Sequence, residues 1–420
     1  MAGADTFDFY GEAWLGAAQF IYRRLAKSVH DQPETREAAL ALAIRELAGA
    51  DPEVRRMRFF APEFLRRVLT PDELARLEAE TAPRRKQAAR LKMVYPLSAD
   101  EFSLDPAFIA SVFDFEHGPQ LPADARFFTV GSCFARNIAA FLSAGGHAAK
   151  TFNLAEDLNS PISNAFMFDV LRRPAAARGE AMAAGLARVF PEMDEAALGQ
   201  VAAFKLQGIA QLADDLADAD CVVLTLGNVI DFFDDAADPA LPLIARVFPK
   251  YLAMSVAGDL GGNANAAGRL KARGATLRMA THAEACEAIG CCIAGIRAIS
   301  AAPIVVTLSP IPVDSALGLA NSELKTAIEV DCVSKSRLRS AFDEIAPALQ
   351  AEHGPIWYFP SYEIVRWLGP MLSLPTFGRE DGAARHVSAD ILQAICSQFV
   401  ARFVQWTDPA RGERRPAGVT

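Results

Sequence analysis

The chain has 420 residues, 51% of them hydrophobic, and carries a formal net charge of -9 at neutral pH. That length exceeds a usual single domain and can bury a large core, so two domains are expected, while the acidic balance excludes nucleic acid as the main partner because phosphate binding needs clustered cations. No apolar run reaches the roughly 18 residues of a membrane span, and the first ten residues, Met1 to Tyr10, carry two aspartates rather than a basic segment ahead of an apolar one, so a soluble protein without a signal peptide is expected.

From Phe7 to about Lys92 apolar residues such as Trp14, Ala17, Ala18 and Ile21 recur at helical spacing. Asp51-Pro52-Glu53 and Thr70-Pro71-Asp72-Glu73 each set a cap residue before a proline at the first helical position, with acids in the first turn. A helical subdomain is predicted over 1–95. Its basic stretch from Arg84 to Lys92 follows the acids Glu73 to Glu80 and reads as a solvated helix face. Pro96, Pro106, Pro119 and Pro122 then break the text, which predicts a connecting arm over 96–125.

An α/β domain is predicted over 126–405. Strand-length apolar runs, Phe127 to Val130, Cys221 to Leu226, Ile304 to Leu308 and Ile356 to Phe359, alternate with helical patterns at Arg136 to Ser143, Glu195 to Ala217, Ala283 to Ser300, Val333 to Leu349 and Ser388 to Phe403. Runs apolar on both faces and separated by helices predict a three-layer sandwich around a central parallel sheet. Ile230 to Ala280 is irregular, and an unstructured loop that long is unusual, so short helices bordering a cleft and recognising an acceptor are expected there. The end, 406–420, reads as a disordered tail. The seven cysteines are odd in number, lie mostly in apolar text and include one adjacent pair, Cys291-Cys292, which suits free thiols in a reducing cytoplasm. Neither CxxC nor HExxH occurs, so no metal site is expected.

The stretch from Phe127 to Asn137 concentrates the chemistry. An apolar run meets Gly131, Ser132 and Cys133, and Ile138, Phe141 and Leu142 then supply a helical face, which predicts a strand, a tight turn and a helix start. Two readings of the turn stay open. In one, Ser132 is a helix N-cap and Cys133 a small buried residue. In the other, the unpaired amides of the helix start favour a thiolate and later hold an oxyanion.

Gly131-Ser132-Cys133-Phe134-Ala135 is followed in order by Thr225-Leu226-Gly227, the run from Val306 to Pro312, Ser334-Lys335-Ser336-Arg337-Leu338-Arg339 and the run from Tyr358 to Val365. Over roughly 125–405 this series resembles the GSCFA family, which is related to the SGNH (GDSL-type) hydrolases. The resemblance implies an SGNH/flavodoxin-like sandwich. It also implies a nucleophile after the first strand, an asparagine after a later one and an Asp-x-x-His element near the C-terminus. Laying Gly-Asp-Ser on Gly131-Ser132-Cys133 puts Cys133 at the nucleophile position, with Ser132 one residue out of register.

The implied base is His386, the best placed of the six histidines; His30 and His117 lie in helical or linker text, and His147, His282 and His353 stand near element ends without an acidic partner at a suggestive spacing. Asp381 is the implied orienting carboxylate. Four residues separate it from His386 where the hydrolases have two, and residues five apart do not share a helix face, so it can act only from a loop. Glu380 is the alternative, and Arg385 is a candidate anion holder. The Cys133 amide and the Asn228 side chain, after Gly227, are the expected oxyanion donors, although Val229-Ile230-Asp231 stands where family members usually carry Thr-Glu. Asn159 and Asn164 occupy the stretch where the hydrolases place another donor, against the reading that they merely form turns.

Ser309-Pro310-Ile311-Pro312 reads as a stiffened rim loop. Lys335 and Arg339 share a helical face and suit an anionic group or local carbonyls, and Glu363 is expected to pair with one of them. Together these expectations describe an SGNH-like acyl-transfer enzyme, an esterase or O-acyltransferase acting on a hydroxyl of a glycan, glycan precursor or small metabolite. An acyl-CoA is a possible donor, although no adenine or pantetheine motif is present. The rival is a catalytically silent binding protein that uses the same cleft for a glycan or a protein partner. Oligomeric state is not readable.

Overall fold

A computed structural model describes residues 70–72, 75–76, 104, 109, 113, 118–119, 121–122, 124–250, 252, 266–320, 326–372, 375–380 and 382–404. Most of the expected helical subdomain and connecting arm, the tail over 406–420 and Asp381 lie outside the described residues. Pro71 and Asp72 are helical behind Thr70, as their cap sequence predicts. The elements below all belong to one compact unit, Phe115–Thr420.

The chain enters at β1 (Arg126–Gly131), turns into α1 (Cys133–Ala144) and returns as β2 (Ala148–Asn153). Helices α2 (Pro161–Arg172), α3 (Ala175–Val189) and α4 (Glu195–Asp218) lead to β3 (Cys221–Leu226). Then come β4 (Ile230–Asp234), β5 (Val247–Phe248), α5 (Ala266–Ala272) and β6 (Ala275–Met279). The order closes with α6 (His282–Arg297), β7 (Ile304–Leu308), α7 (Ala327–His353), β8 (Ile356–Phe359) and α8 (Ala389–Phe403).

Five strands form one parallel sheet in the order β2-β1-β3-β7-β8, which is the 2-1-3-4-5 order of doubly wound folds. Every residue of β3 and β7 is buried, because helices cover both faces. Side chains alternate along β1. Phe128 and Val130 join the core cluster of α2, α6 and α7, whereas Phe127 meets Phe399 of α8 edge-on, with ring centroids 6.2 Å apart. Phe399 also packs 5.3 Å from Phe359 and 4.8 Å from Phe403. Each fully buried ring of this kind contributes about 1.5–3 kcal/mol. Leu121 pairs with Val404 beyond the end of α8, which ties the segment ahead of β1 to the last helix.

The four apolar runs form β1, β3, β7 and β8, but four features escape the hydrophobic pattern, α3 over Ala175–Val189 among them. The sheet has a fifth strand, β2, whose alternately exposed AAKTFN sequence suits an edge. α2 is missed because eleven of its twelve residues, Pro161 to Leu171, are buried, which leaves no polar face to set a helical period. Ile230 to Ala280 holds the expected short helical pieces, α5 and a 3-10 turn at Leu243–Arg246, together with an unexpected antiparallel three-stranded sheet, β5-β4-β6.

Local signals start the helices. Ser160 caps α2 ahead of Pro161, Asp194 caps α4, and Thr281 with Glu284 and Thr326 with Glu329 form reciprocal capping boxes on α6 and α7. α6 crosses α2 so closely that a Cβ on Gly295 would lie 2.5 Å from Phe168 Cβ, whereas Gly290 of the same helix has no atom within 4 Å of its added Cβ. Gly295→Ala is therefore expected to lower unfolding stability by about 1–3 kcal/mol, and Gly290→Ala to raise it by about 0.5–1 kcal/mol, in urea titrations of the two variants side by side.

Glu284 also joins α6 to the small sheet. Burial pushes its carboxyl up, but two hydrogen bonds from Arg278 and one from the Thr281 backbone outweigh this and hold it at about 2, below its ordinary 4.5. A carboxyl depressed on folding contributes its stability above the unfolded value and loses it as the pH falls through the folded one. Glu284→Gln is expected to flatten the fall in urea midpoint between pH 4.5 and about 2 relative to the parent protein.

Candidate functional site

In the 2-1-3 strand order the chain leaves β1 toward β2 and comes back on the other side as β3, so the two connections diverge at the C-terminal strand ends, the switch point where doubly wound folds place their ligand crevice. Gly131 closes β1 with φ +147, and a Cβ there would stand 2.7 Å from Thr225 Cβ and 2.9 Å from the Thr225 carbonyl oxygen. Only glycine lets the strands pass so closely in that conformation. Ser132 follows with extended backbone at the N-cap of α1, yet its side chain makes no capping bond. Among the described residues its hydroxyl is fully buried without a partner, as is Thr225 Oγ1 on the neighbouring strand. A buried hydroxyl left unpaired costs about 1–3 kcal/mol. Cys133, the first residue of α1, is partly exposed. The N-cap reading thus holds for the Ser132 backbone but not for its side chain, and Cys133 is not the buried residue that this reading assumes.

The asparagines behind the crevice are committed to the framework. Asn228 Nδ2 donates to the Glu156 carbonyl at 2.8 Å, its Oδ1 accepts from the Ile230 amide at 2.9 Å, and its own amide donates to the Asn159 carbonyl at 3.0 Å. Asn159 Nδ2 donates to the Thr225 carbonyl at 3.0 Å, and its Oδ1 accepts from Asn164 Nδ2 at 3.3 Å. Asn164 lies within α2 rather than in a turn. These bonds hold the Asn228 side chain, the expected oxyanion donor, within the loop after β3. Gly227 is required by the same packing: a Cβ on it would fall 2.4 Å from the Asn159 carbonyl oxygen.

A buried ion pair lies beneath these loops. Lys335 of α7 is fully buried; its Nζ donates to the Gly227 carbonyl at 2.5 Å and stands 3.5 Å from Glu156 Oε1. Burial pulls the Lys335 amine down, opposed by the Glu156 and Asp331 carboxylates. Ser309, after β7, donates to Glu156 Oε2 at 3.3 Å, and Ser334 accepts from the Val229 amide at 3.0 Å. Of the alternatives read from sequence, Lys335 takes a carbonyl. Glu156 had no motif to mark it; only the fold brings it to Lys335, 179 residues later. Asp231, buried and pushed up by that burial, accepts from Ser163 at 2.6 Å.

Arg339 and Glu363 pair at 2.9 Å as expected, and Tyr358 donates to both Glu363 oxygens, at 2.7 and 2.9 Å. Burial pushes the Glu363 carboxyl up despite these partners. On the C-terminal side, 382–388 is non-helical. His386 is exposed in this segment; its carbonyl accepts from the Gly378 amide at 2.9 Å, and no hydrogen bond among the described residues joins it to Cys133. Glu380 accepts from the Ala389 amide at 3.1 Å and so caps α8 instead of orienting a histidine. Arg385 pairs with Asp314 at 3.0 Å. His282 does have an acidic partner, Glu344, 62 residues later at 2.7 Å. A hollow of about 480 Å³ lies along α7 beside that pair and is lined by none of the crevice residues.

Removing one member of a buried ion pair leaves the other uncompensated, at about 3–5 kcal/mol. Lys335→Met is expected to lower unfolding stability by about that amount, and the double variant Glu156→Gln with Lys335→Met to recover part of it, short of full recovery because the Gly227 carbonyl still loses its donor. Equilibrium urea unfolding of the single and double variants measures both.

No curated protein matches the chain. Among the described residues no helix is long and apolar enough to cross a membrane. The model of the GSCFA family matches residues 126–399, from the first residue of β1 into α8, and takes in Gly131-Ser132-Cys133 together with the loops that close around it. The chain belongs to the GSCFA family.

Proposed function

We propose that the chain is an SGNH-like acyl-transfer enzyme, an esterase or O-acyltransferase acting on a hydroxyl of a glycan, glycan precursor or small metabolite. The observation that carries this reading is the placement of Cys133: a partly exposed thiol on the first residue of α1, at the crevice between β1 and β3, beside a serine whose hydroxyl is fully buried. A hydroxyl with no exposed surface cannot meet a substrate, so the nucleophile is assigned to Cys133 and not to Ser132.

In this reading Cys133 Sγ attacks the acyl carbonyl carbon as its proton passes to His386. The new C–S bond forms, the C–O or C–S bond to the leaving group breaks, and His386 returns the proton to the departing group. Water or an acceptor hydroxyl then attacks the thioester, gives its proton to His386 and releases the thiolate, which takes the proton back. Asp381 orients His386 from the loop. The first-turn amides of α1, Cys133 foremost, hold the oxyanion, since the first N–H groups of a helix lack intrahelical acceptors. An acyl-CoA is the donor in the transferase version.

One observation favours the rival, a binding protein without catalysis. Asn159, Asn164 and Asn228 all have their side chains hydrogen-bonded within the framework, so each expected asparagine donor already serves the fold. Intact mass after incubation with activated acyl esters and acyl-CoAs separates the two. An acyl adduct is expected on the parent protein, on Ser132→Ala and on Cys332→Ser, which controls for an exposed thiol; Cys133→Ala abolishes it and His386→Ala slows its formation. An adduct on Cys133→Ala overturns the assignment, and no adduct on any variant favours the binding protein.

A further inference from the structure

A second cluster of chemically capable side chains stands on the other side of α6, where it meets α7. His282 and Cys286 are one turn apart on α6, and Glu344 projects from α7, so that one ligand atom from each lies within 4.8 Å of the other two. The histidine is oriented by a hydroxyl. Ser340 Oγ lies 3.3 Å from His282 Nδ1 and 3.2 Å from the Arg337 carbonyl, and its single proton serves one of the two at a time. His282 Nε2 stands 2.7 Å from Glu344 Oε2. Two lone pairs at that distance repel unless a positive centre stands between them, either a proton or a metal ion.

The donor set points to the metal. Imidazole, thiol and carboxylate together are the ligands of zinc-class ions, and a metal-bound histidine commonly donates its other N–H to a fixed partner, for which Ser340 Oγ stands at hydrogen-bond distance. Tetrahedral bonds of about 2.0–2.3 Å set ligand atoms roughly 3.3–3.7 Å apart, within the small rotamer changes open to these side chains. The His282 and Glu344 side chains are 40% and 67% exposed, so an ion has a path in. The hollow of about 480 Å³, lined by His282, Cys332, Val333, Ser336, Arg337 and Ser340, shares His282 and Ser340 with the cluster. We infer that His282, Cys286 and Glu344 form a site for one divalent transition-metal ion of the zinc class, with a fourth coordination position open at the edge of this hollow.

The site does not depend on the acyl-transfer reading, and its test does not use activity. Cobalt(II) is titrated into the full chain after treatment with a chelator, the visible and thiolate-to-cobalt charge-transfer absorption is followed, and zinc(II) is added to displace it. One equivalent of cobalt is expected to give a tetrahedral spectrum with a charge-transfer band that zinc removes. Cys286→Ser loses the band, Cys332→Ser keeps it, and Glu344→Gln, a change at an exposed carboxylate that leaves the far-ultraviolet circular dichroism unaltered, weakens cobalt binding at least roughly tenfold. No cobalt binding by the parent protein, a band retained in Cys286→Ser, or unchanged affinity in folded Glu344→Gln overturns the inference.

Discussion

The geometry of the crevice depends on how closely β1 and β3 run together at Gly131. An added methyl group would fall inside contact distance of Thr225, and the backbone there takes a conformation that side-chain-bearing residues avoid. Because β1 ends this tightly against β3, α1 starts directly at the switch point of the sheet. Ser132 is drawn wholly into the interior and Cys133 is left at the rim. A single steric condition thus decides which of two adjacent nucleophile-type side chains meets solvent.

Behind the rim, polar contacts hold the surrounding loops to one another. The loops after β2, β3 and β7 and the helix α7 meet through Glu156, Gly227, Asn228, Ser309 and Lys335. Such a buried pair is a weak source of net stability, since removing two charges from water offsets most of their attraction. Its consequence is geometric: displacing any one loop leaves a charge or a carbonyl unpaired in a low-dielectric interior, so the loops move together or not at all. The asparagines are part of this framework. Their hydrogen bonds tie the loops after β2 and β3 together.

α6 presents two kinds of surface. Its inner side packs on α2, with Gly295 admitting Phe168, while the first turns of its outer side bring His282 and Cys286 toward α7. The capping box at Thr281 and Glu284, with Arg278 behind it, fixes where the helix begins and so where those two side chains stand. The metal site and the crevice are therefore supported by different contacts.

Local patterns in the sequence determined a good deal. Uninterrupted apolar runs can be strands only if covered on both faces, which gives the parallel sheet, and the Gly131-Ser132-Cys133 turn follows from a glycine between a strand and a helical face. The same patterns could not show β2, whose edge position asks for no apolar run, or α2, whose nearly complete burial erases its period. They also could not pair residues distant in the chain. Asn228 looked like a donor to substrate because its partners, at 156 and 159, come from the loop after β2; Lys335 looked like an anion holder because Glu156 carries no motif; His282 looked unpartnered because Glu344 arrives on another helix. Local spacing fixes which side chains share a strand or a helix face. Burial, and with it the choice between framework and chemistry, belongs to contacts across the sheet that exist only once the chain has closed on itself.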